Sequence, residues 1–171
     1  MKASPLPSID VLENLFSLME PEGRLVWANC PRPEFNGTEA GWVMNGGYRH
    51  VRVRGYGTYL AHRLVTVLRG RPLGPNDVID HINHDKLDNR ASNLRVTTKQ
   101  GNSFNRGPNK TAKVPAVGIT VATYRSGAIR YRARIKKEGR DLHLGTFKTV
   151  EEAVSAYETA KKEITRSIFA E

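Results

Sequence analysis

The sequence holds a single cysteine, Cys30. An intrachain disulfide framework and a cysteine-rich zinc site both need more thiols, so both are excluded. No apolar run approaches the roughly 20 residues that a membrane-spanning helix requires. The opening stretch, M-K-A-S-P-L-P-S, lacks the apolar core of a signal peptide, so a reducing, cytoplasmic setting is expected. Negative charge is also scarce: 17 Asp and Glu stand against 27 Lys and Arg, a formal net charge of +10. Such an imbalance suits a polyanionic partner, although a basic surface without one has the same composition. The 171 residues suffice for one domain of usual size or two small modules.

Residues 1–8 are rich in Pro and Ser and are expected to be loose. Ile9 to Met19 has apolar residues at helical spacing, with Asp10 as the expected N-cap and Pro21 and Gly23 as the stop. Leu25-Val26-Trp27 reads as a short strand. Asn29 to Gly41 reads as a loop, with Cys30 an inert thiol in it. Tyr48 to Leu60 alternates, which predicts two strands about a Gly-containing turn, Val51 and Val53 facing one way and Arg52 and Arg54 the other. Arg49, Arg52 and Arg54 can contact phosphate or form a solvated face; the pattern allows both. Ala61 to Leu68 reads as a helix that packs through Leu64, Val65 and Leu68, with His62 and Arg63 opening it. Gly70, Pro72, Gly74 and Pro75 then break the chain.

The stretch from Asp80 to Asn102 is the densest in chemistry. Val78-Ile79 is a brief strand that delivers Asp80 and His81. A polar loop follows from Asn83 to Arg90, then a strand at Leu94-Arg95-Val96 and a helix from Lys99 through Asn105 capped by Thr98. Asp80 and Asn102 offer hard oxygen donors of the kind a Mg²⁺ ion takes, with phosphate and water completing the shell. Mn²⁺ can substitute. An imidazole at His81 can take a proton from water near neutral pH. Neighbours on a strand point to opposite faces, so Asp80 and His81 can share a site only if the strand ends or bulges there. Asn93 reads as the side chain that pins the loop. The bland alternative makes His81 a structural histidine and the Asn residues turn-formers.

Gly107-Pro108-Asn109 is expected to end the helix, and Lys110 to Pro115 reads as a linker. After it, three alternating runs are split by Ser126-Gly127 and Glu138-Gly139, predicting an antiparallel three-stranded meander. Thr149 and Glu152 form a capping box for a helix that runs to Ile164, with Ala153, Val154, Ala156, Tyr157 and Ala160 facing the sheet.

Asp80–Asn102 resembles the HNH nuclease (ββα-metal) motif, in the variant of phage and intron-type homing endonucleases whose third position is Asn. Y-R-H-V-R-V, Y-L-A-H-R-L-V and L-F-S-L-M-E-P-E-G-R-L-V-W resemble the segments that precede that motif. The resemblance implies His81 as general base, Asp80 and Asn102 as metal ligands and Asn93 as the loop-holding residue. His84 departs from the small or acidic residue commoner at its position, and an imidazole there can recruit a transition metal. Residues Val117 to Ala170 resemble the AP2-type DNA-binding domain through V-G-I-T, R-Y-R-A-R-I, H-L-G-T-F and E-E-A-V-S-A-Y-E-T-A-K-K. That family lays its sheet in the major groove. Its basic positions match Arg125, Arg130, Arg132, Arg134, Lys136 and Arg140. Tyr131 stands where Trp is frequent, so base preference does not transfer.

The sequence therefore predicts an α+β protein: a ββα-metal nuclease domain over residues 1–109, a linker over 110–116, and a sheet-and-helix DNA-binding domain over 117–171. The expected activity is Mg²⁺-dependent hydrolysis of double-stranded DNA to 5′-phosphate and 3′-hydroxyl ends. One site per chain predicts nicking by a monomer, with two-strand cleavage needing a weak dimer or a second visit. The competing readings are a DNA-binding protein without activity and a nuclease acting on RNA.

Overall fold

The computed structural model describes residues 5–107, 114 and 116–169. The chain divides into two compact units, Met1–Val96 and Thr97–Glu171. The expected linker lies largely outside the described residues.

The first unit opens with helix α1 (Ile9–Leu15), shorter than the predicted Ile9–Met19. Its N-cap is Ser8, which makes no side-chain cap bond; Asp10 instead sits in the first turn, where a carboxylate favours the positive end of the helix dipole. Phe16–Met19 leaves the helix as strand β1 and pairs antiparallel with β2 (Arg24–Trp27). The apolar residues at Leu15, Phe16 and Leu18 satisfy either period, and hairpin pairing decides between them. Phe16 lies opposite Trp27, with ring centroids 4.5 Å apart. Strands β3 (Trp42–Val43), β4 (Arg49–Val53) and β5 (Gly57–Leu60) form an antiparallel sheet in that order. Helix α2 (Ala61–Leu68) starts directly after β5. Val51 and Val53 are buried with Leu12, Leu25, Leu64 and Val65, while Arg52 and Arg54 are exposed, as the alternation predicts. Strands β6 (Val78–His81) and β7 (Leu94–Thr97) make a two-stranded sheet.

The second unit begins with the end of β7 and helix α3 (Lys99–Phe104), whose cap Thr98 accepts from the Gly101 N–H at 3.1 Å. Strands β8 (Ile119–Thr123), β9 (Ile129–Lys137) and β10 (Arg140–Phe147) form the predicted meander, β9 in the centre. Helix α4 (Val150–Phe169) packs on it through Ala153, Tyr157 and Ile164, facing Ile119, Ala133 and Ile135. The capping box is formed: Glu152 N–H donates to Thr149 Oγ1 at 3.2 Å, and the Glu152 carboxylate accepts from the Thr149 N–H at 3.3 Å. Phe104 of α3 belongs to this core, 7% exposed. Gly118 enters β8 at φ 74°, where a Cβ would stand 2.3 Å from the Tyr157 ring and 2.4 Å from the Arg134 carbonyl oxygen. No side chain but hydrogen fits there.

Candidate functional site

Asp80 and His81 are the last two residues of β6, 5% and 4% exposed, and the polar loop starts immediately after them. Burial of two adjacent polar residues at a strand end demands partners on both sides. Asp80 Oδ2 accepts from Arg95 Nη2 at 2.6 Å and Nε at 2.9 Å, a forked ion pair across to β7. The His81 ring packs edge-on against His62 of α2, centroids 5.0 Å apart, with Tyr48 at 6.0 Å. His81 Nε2 lies 3.2 Å from Asn89 Oδ1.

The loop between β6 and β7 is held by its own side chains. Asn93 Oδ1 accepts from the Asn83 N–H at 2.9 Å, and Asn93 Nδ2 donates to the Asp88 carbonyl at 2.7 Å. The Asn93 carbonyl also accepts from the Ile82 N–H at 2.9 Å, which ties Asn93 to the two residues that follow His81. Asp88 receives Asn83 Nδ2 at 2.8 Å and a forked contact from Arg90. The Arg90 guanidinium holds the Asp88 carboxyl well below the usual carboxylate range. His84 sits at the turn with φ 67°, exposed, its N–H bonded to the His81 carbonyl at 3.0 Å.

Asn89 is steadied from outside the loop. Its carbonyl accepts from Arg69 Nη1 at 2.9 Å, and Arg69 in turn pairs with Glu20 at 2.7 Å. Gly23, in the turn after Glu20, presses so close that a Cβ would stand 2.1 Å from the Asn89 carbonyl oxygen. The first hairpin thus buttresses the residue that orients His81. His62 has its pKa lowered from 6.5 to about 3, first by burial, then by the neighbouring His81, Arg63 and His50. It is a neutral ring against which His81 packs.

Asp80, His81 and Asn93 therefore come together in the first unit. Asn102 is an exposed residue of α3, in the second unit. Among the described residues no three His, Cys, Asp or Glu side chains gather as a metal cage. The Asp80 carboxylate oxygen is a hard donor, of the kind Mg²⁺ takes in preference to a soft metal. Sequence reasoning missed Arg95 and Asn89. Arg95 was findable, as a polar residue on the strand that pairs with β6; nothing singled out Asn89 among several loop Asn residues.

The basic residues behave differently from one another. Arg49 is engaged within the unit, paired with Glu39 at 3.0 Å and donating to the Gly41 carbonyl at 3.3 Å. On β9 the alternation is strict: Ala133 and Ile135 are buried, while Arg132, Arg134 and Lys136 are exposed, and Arg130 shares their parity. Arg132 lies between Thr120 and Thr146 on the flanking strands, and Lys136 lies opposite Asp141. Arg125 and Arg140 are exposed at the β8–β9 turn and the start of β10.

Set against known proteins, residues 59–104 match the HNH endonuclease family, a span that takes in Asp80, His81, Asn93 and Asn102. An uncharacterized HNH endonuclease, L560 of Acanthamoeba polyphaga mimivirus, is 32% identical over 104 residues, covering 60% of this chain and 51% of the relative. The chain spans about half the length of that curated relative. No solved structure matches it. Among the described residues no helix is long and apolar enough to cross a membrane.

Proposed function

We propose, from the HNH endonuclease match over residues 59–104, that the chain is a metal-dependent endonuclease of homing type. It hydrolyses phosphodiester bonds of double-stranded DNA to 5′-phosphate and 3′-hydroxyl ends, nicking one strand as a monomer. The observation that carries this reading is His81 at the end of β6, adjacent to Asp80 and bonded to Asn89.

His81 receives the water proton as general base. The hydroxide so formed attacks phosphorus, the bond from phosphorus to the 3′ oxygen breaks, and that oxygen leaves with the electron pair and is protonated from solvent. Asp80 and Asn102 would hold Mg²⁺, with Mn²⁺ as a substitute. Such an ion supplies positive charge to the phosphate oxygens and the departing 3′ oxygen. Arg95 positions the Asp80 carboxylate. Asn93 holds the loop behind His81. The β8–β10 sheet, with its AP2-like pattern, supplies affinity through Arg125, Arg130, Arg132, Arg134, Lys136 and Arg140, and Arg49, Arg52 and Arg54 belong to the first unit's share of the DNA contacts.

The test is nicking of supercoiled plasmid in Mg²⁺. His81→Ala should lower the rate by roughly 10²–10⁴ while gel-shift affinity for the same duplex is kept. Cleavage within about tenfold of the parent protein, well short of that loss, removes His81 from the base role.

A further inference from the structure

The first unit has an open groove of about 940 Å³ whose lining includes none of Asp80, His81, Asn93 or Asn102. Its walls include Trp27, Phe35 and Trp42, and Arg32, Arg52 and Arg54 also line it. Burial explains little of this composition: Trp42 is 46% exposed and Phe35 39%, and Val43 and Met44 beside Trp42 are exposed as well. An apolar patch of this kind marks a binding surface. Charge narrows the occupant. The acid among the lining residues, Glu39, is paired with Arg49, while Arg52 near the end of β4 and Arg54 in the turn after it are exposed and the Arg32 guanidinium lies 4.8 Å from the Phe35 ring centroid. Aromatic faces with guanidinium groups around them suit a ligand that is flat, apolar on its faces and anionic at its edge. Bases within a duplex are stacked on one another and present no face to such walls.

We propose that this groove binds an unpaired stretch of DNA strand, its bases stacking on Trp42 and Phe35 and its phosphates meeting Arg32, Arg52 and Arg54. The choice of DNA rests on the nuclease reading; the stacking itself does not.

The chain carries its own reporters. Its two tryptophans, Trp27 and Trp42, both line the groove, and so does its one cysteine, Cys30. The full chain, in excess EDTA so that no strand is cut, is titrated with a short oligothymidylate and with an abasic oligodeoxynucleotide of equal length. The expected result is saturable quenching of tryptophan fluorescence and slowed reaction of Cys30 with a thiol reagent. The abasic strand should bind about tenfold more weakly, the loss of base–aromatic stacking. Trp42→Leu should weaken oligothymidylate by a similar factor, and Arg52→Gln with Arg54→Gln should weaken both strands; circular dichroism checks that each variant is folded. Equal binding of the two strands, or no quenching and no protection of Cys30, overturns the proposal. So does concentration-dependent dimerisation abolished by Trp42→Leu, which assigns the groove to a second copy of the chain. Plasmid nicking in Mg²⁺ is scored separately. Nicking without strand binding sinks the groove alone, and strand binding without nicking sinks the nuclease reading alone.

Discussion

His81 works as a base only if its ring is held in place, and the 3.2 Å contact of Nε2 with Asn89 Oδ1 is part of what holds it. Asn89→Ala should therefore lower turnover by up to about 10²-fold, the cost of a misplaced reacting group, with duplex affinity unchanged. A fall in affinity matching the fall in turnover would make Asn89 merely structural. His62, the ring packed on His81, makes a different prediction. Its folded pKa of about 3 lies below the ordinary 6.5, so between those values the unfolded chain binds a proton that the folded chain refuses. The stability this histidine contributes is complete above about pH 6.5 and is lost as the pH falls toward 3, at up to roughly 1.4 kcal/mol per pH unit. His62→Phe should flatten that part of the stability–pH curve. Urea midpoints at a series of pH values between those limits measure it, and parallel curves for parent and variant would refute it.

At the scale of elements, the strands β4, β5, β8, β9 and β10 and the helices α2 and α4 were legible because periodicity and burial agree in them. The first helix misled, since Leu15, Phe16 and Leu18 fit two periods and only pairing with β2, a long-range event, selects one. Asp80, His81 and Asn93 stand out by residue type, whereas the support for them comes from Arg95, Asn89, Arg69 and Gly23, whose contacts depend on how separate hairpins meet. Gly23 exposes this dependence. At φ 69°, with a Cβ position 2.1 Å from the Asn89 carbonyl oxygen, Gly23→Ala must displace that residue. Gly55 has a similar φ of 82° and open space around it. Both alanine variants should lose about 1 kcal/mol or more to backbone strain. Gly23→Ala alone should also lose cleavage in conditions where it remains folded. Equal activity in the two variants would show that the hairpin does not buttress the site.

At the scale of the molecule, the two residues assigned to Mg²⁺ belong to different compact units, Asp80 to Met1–Val96 and Asn102 to Thr97–Glu171. The sequence pattern runs unbroken from Asp80 to Asn102 and suggests one catalytic block ending near residue 109. Phe104 of α3 is buried with Ile119, Ala133, Ile135 and Tyr157. Phe104→Ala should thus cost the second unit about 3–5 kcal/mol, read as an earlier unfolding transition in the full chain. A sharper consequence concerns truncation. A fragment of residues 1–112 keeps α3 but removes the core that seats Phe104. It should nick plasmid more weakly than the full chain and need more Mg²⁺, since the element bearing Asn102 has lost its packing. A fragment of residues 97–171 should bind duplex DNA and cut nothing, its log affinity falling with log salt by about 0.9 for each phosphate neutralised. The measurements are Mg²⁺ titrations of nicking for the first fragment and binding at several salt concentrations for the second. If residues 1–112 nicked with the metal dependence and site preference of the full chain, α3 would owe nothing to the second unit, and the basic face of β9 would be a solvated surface.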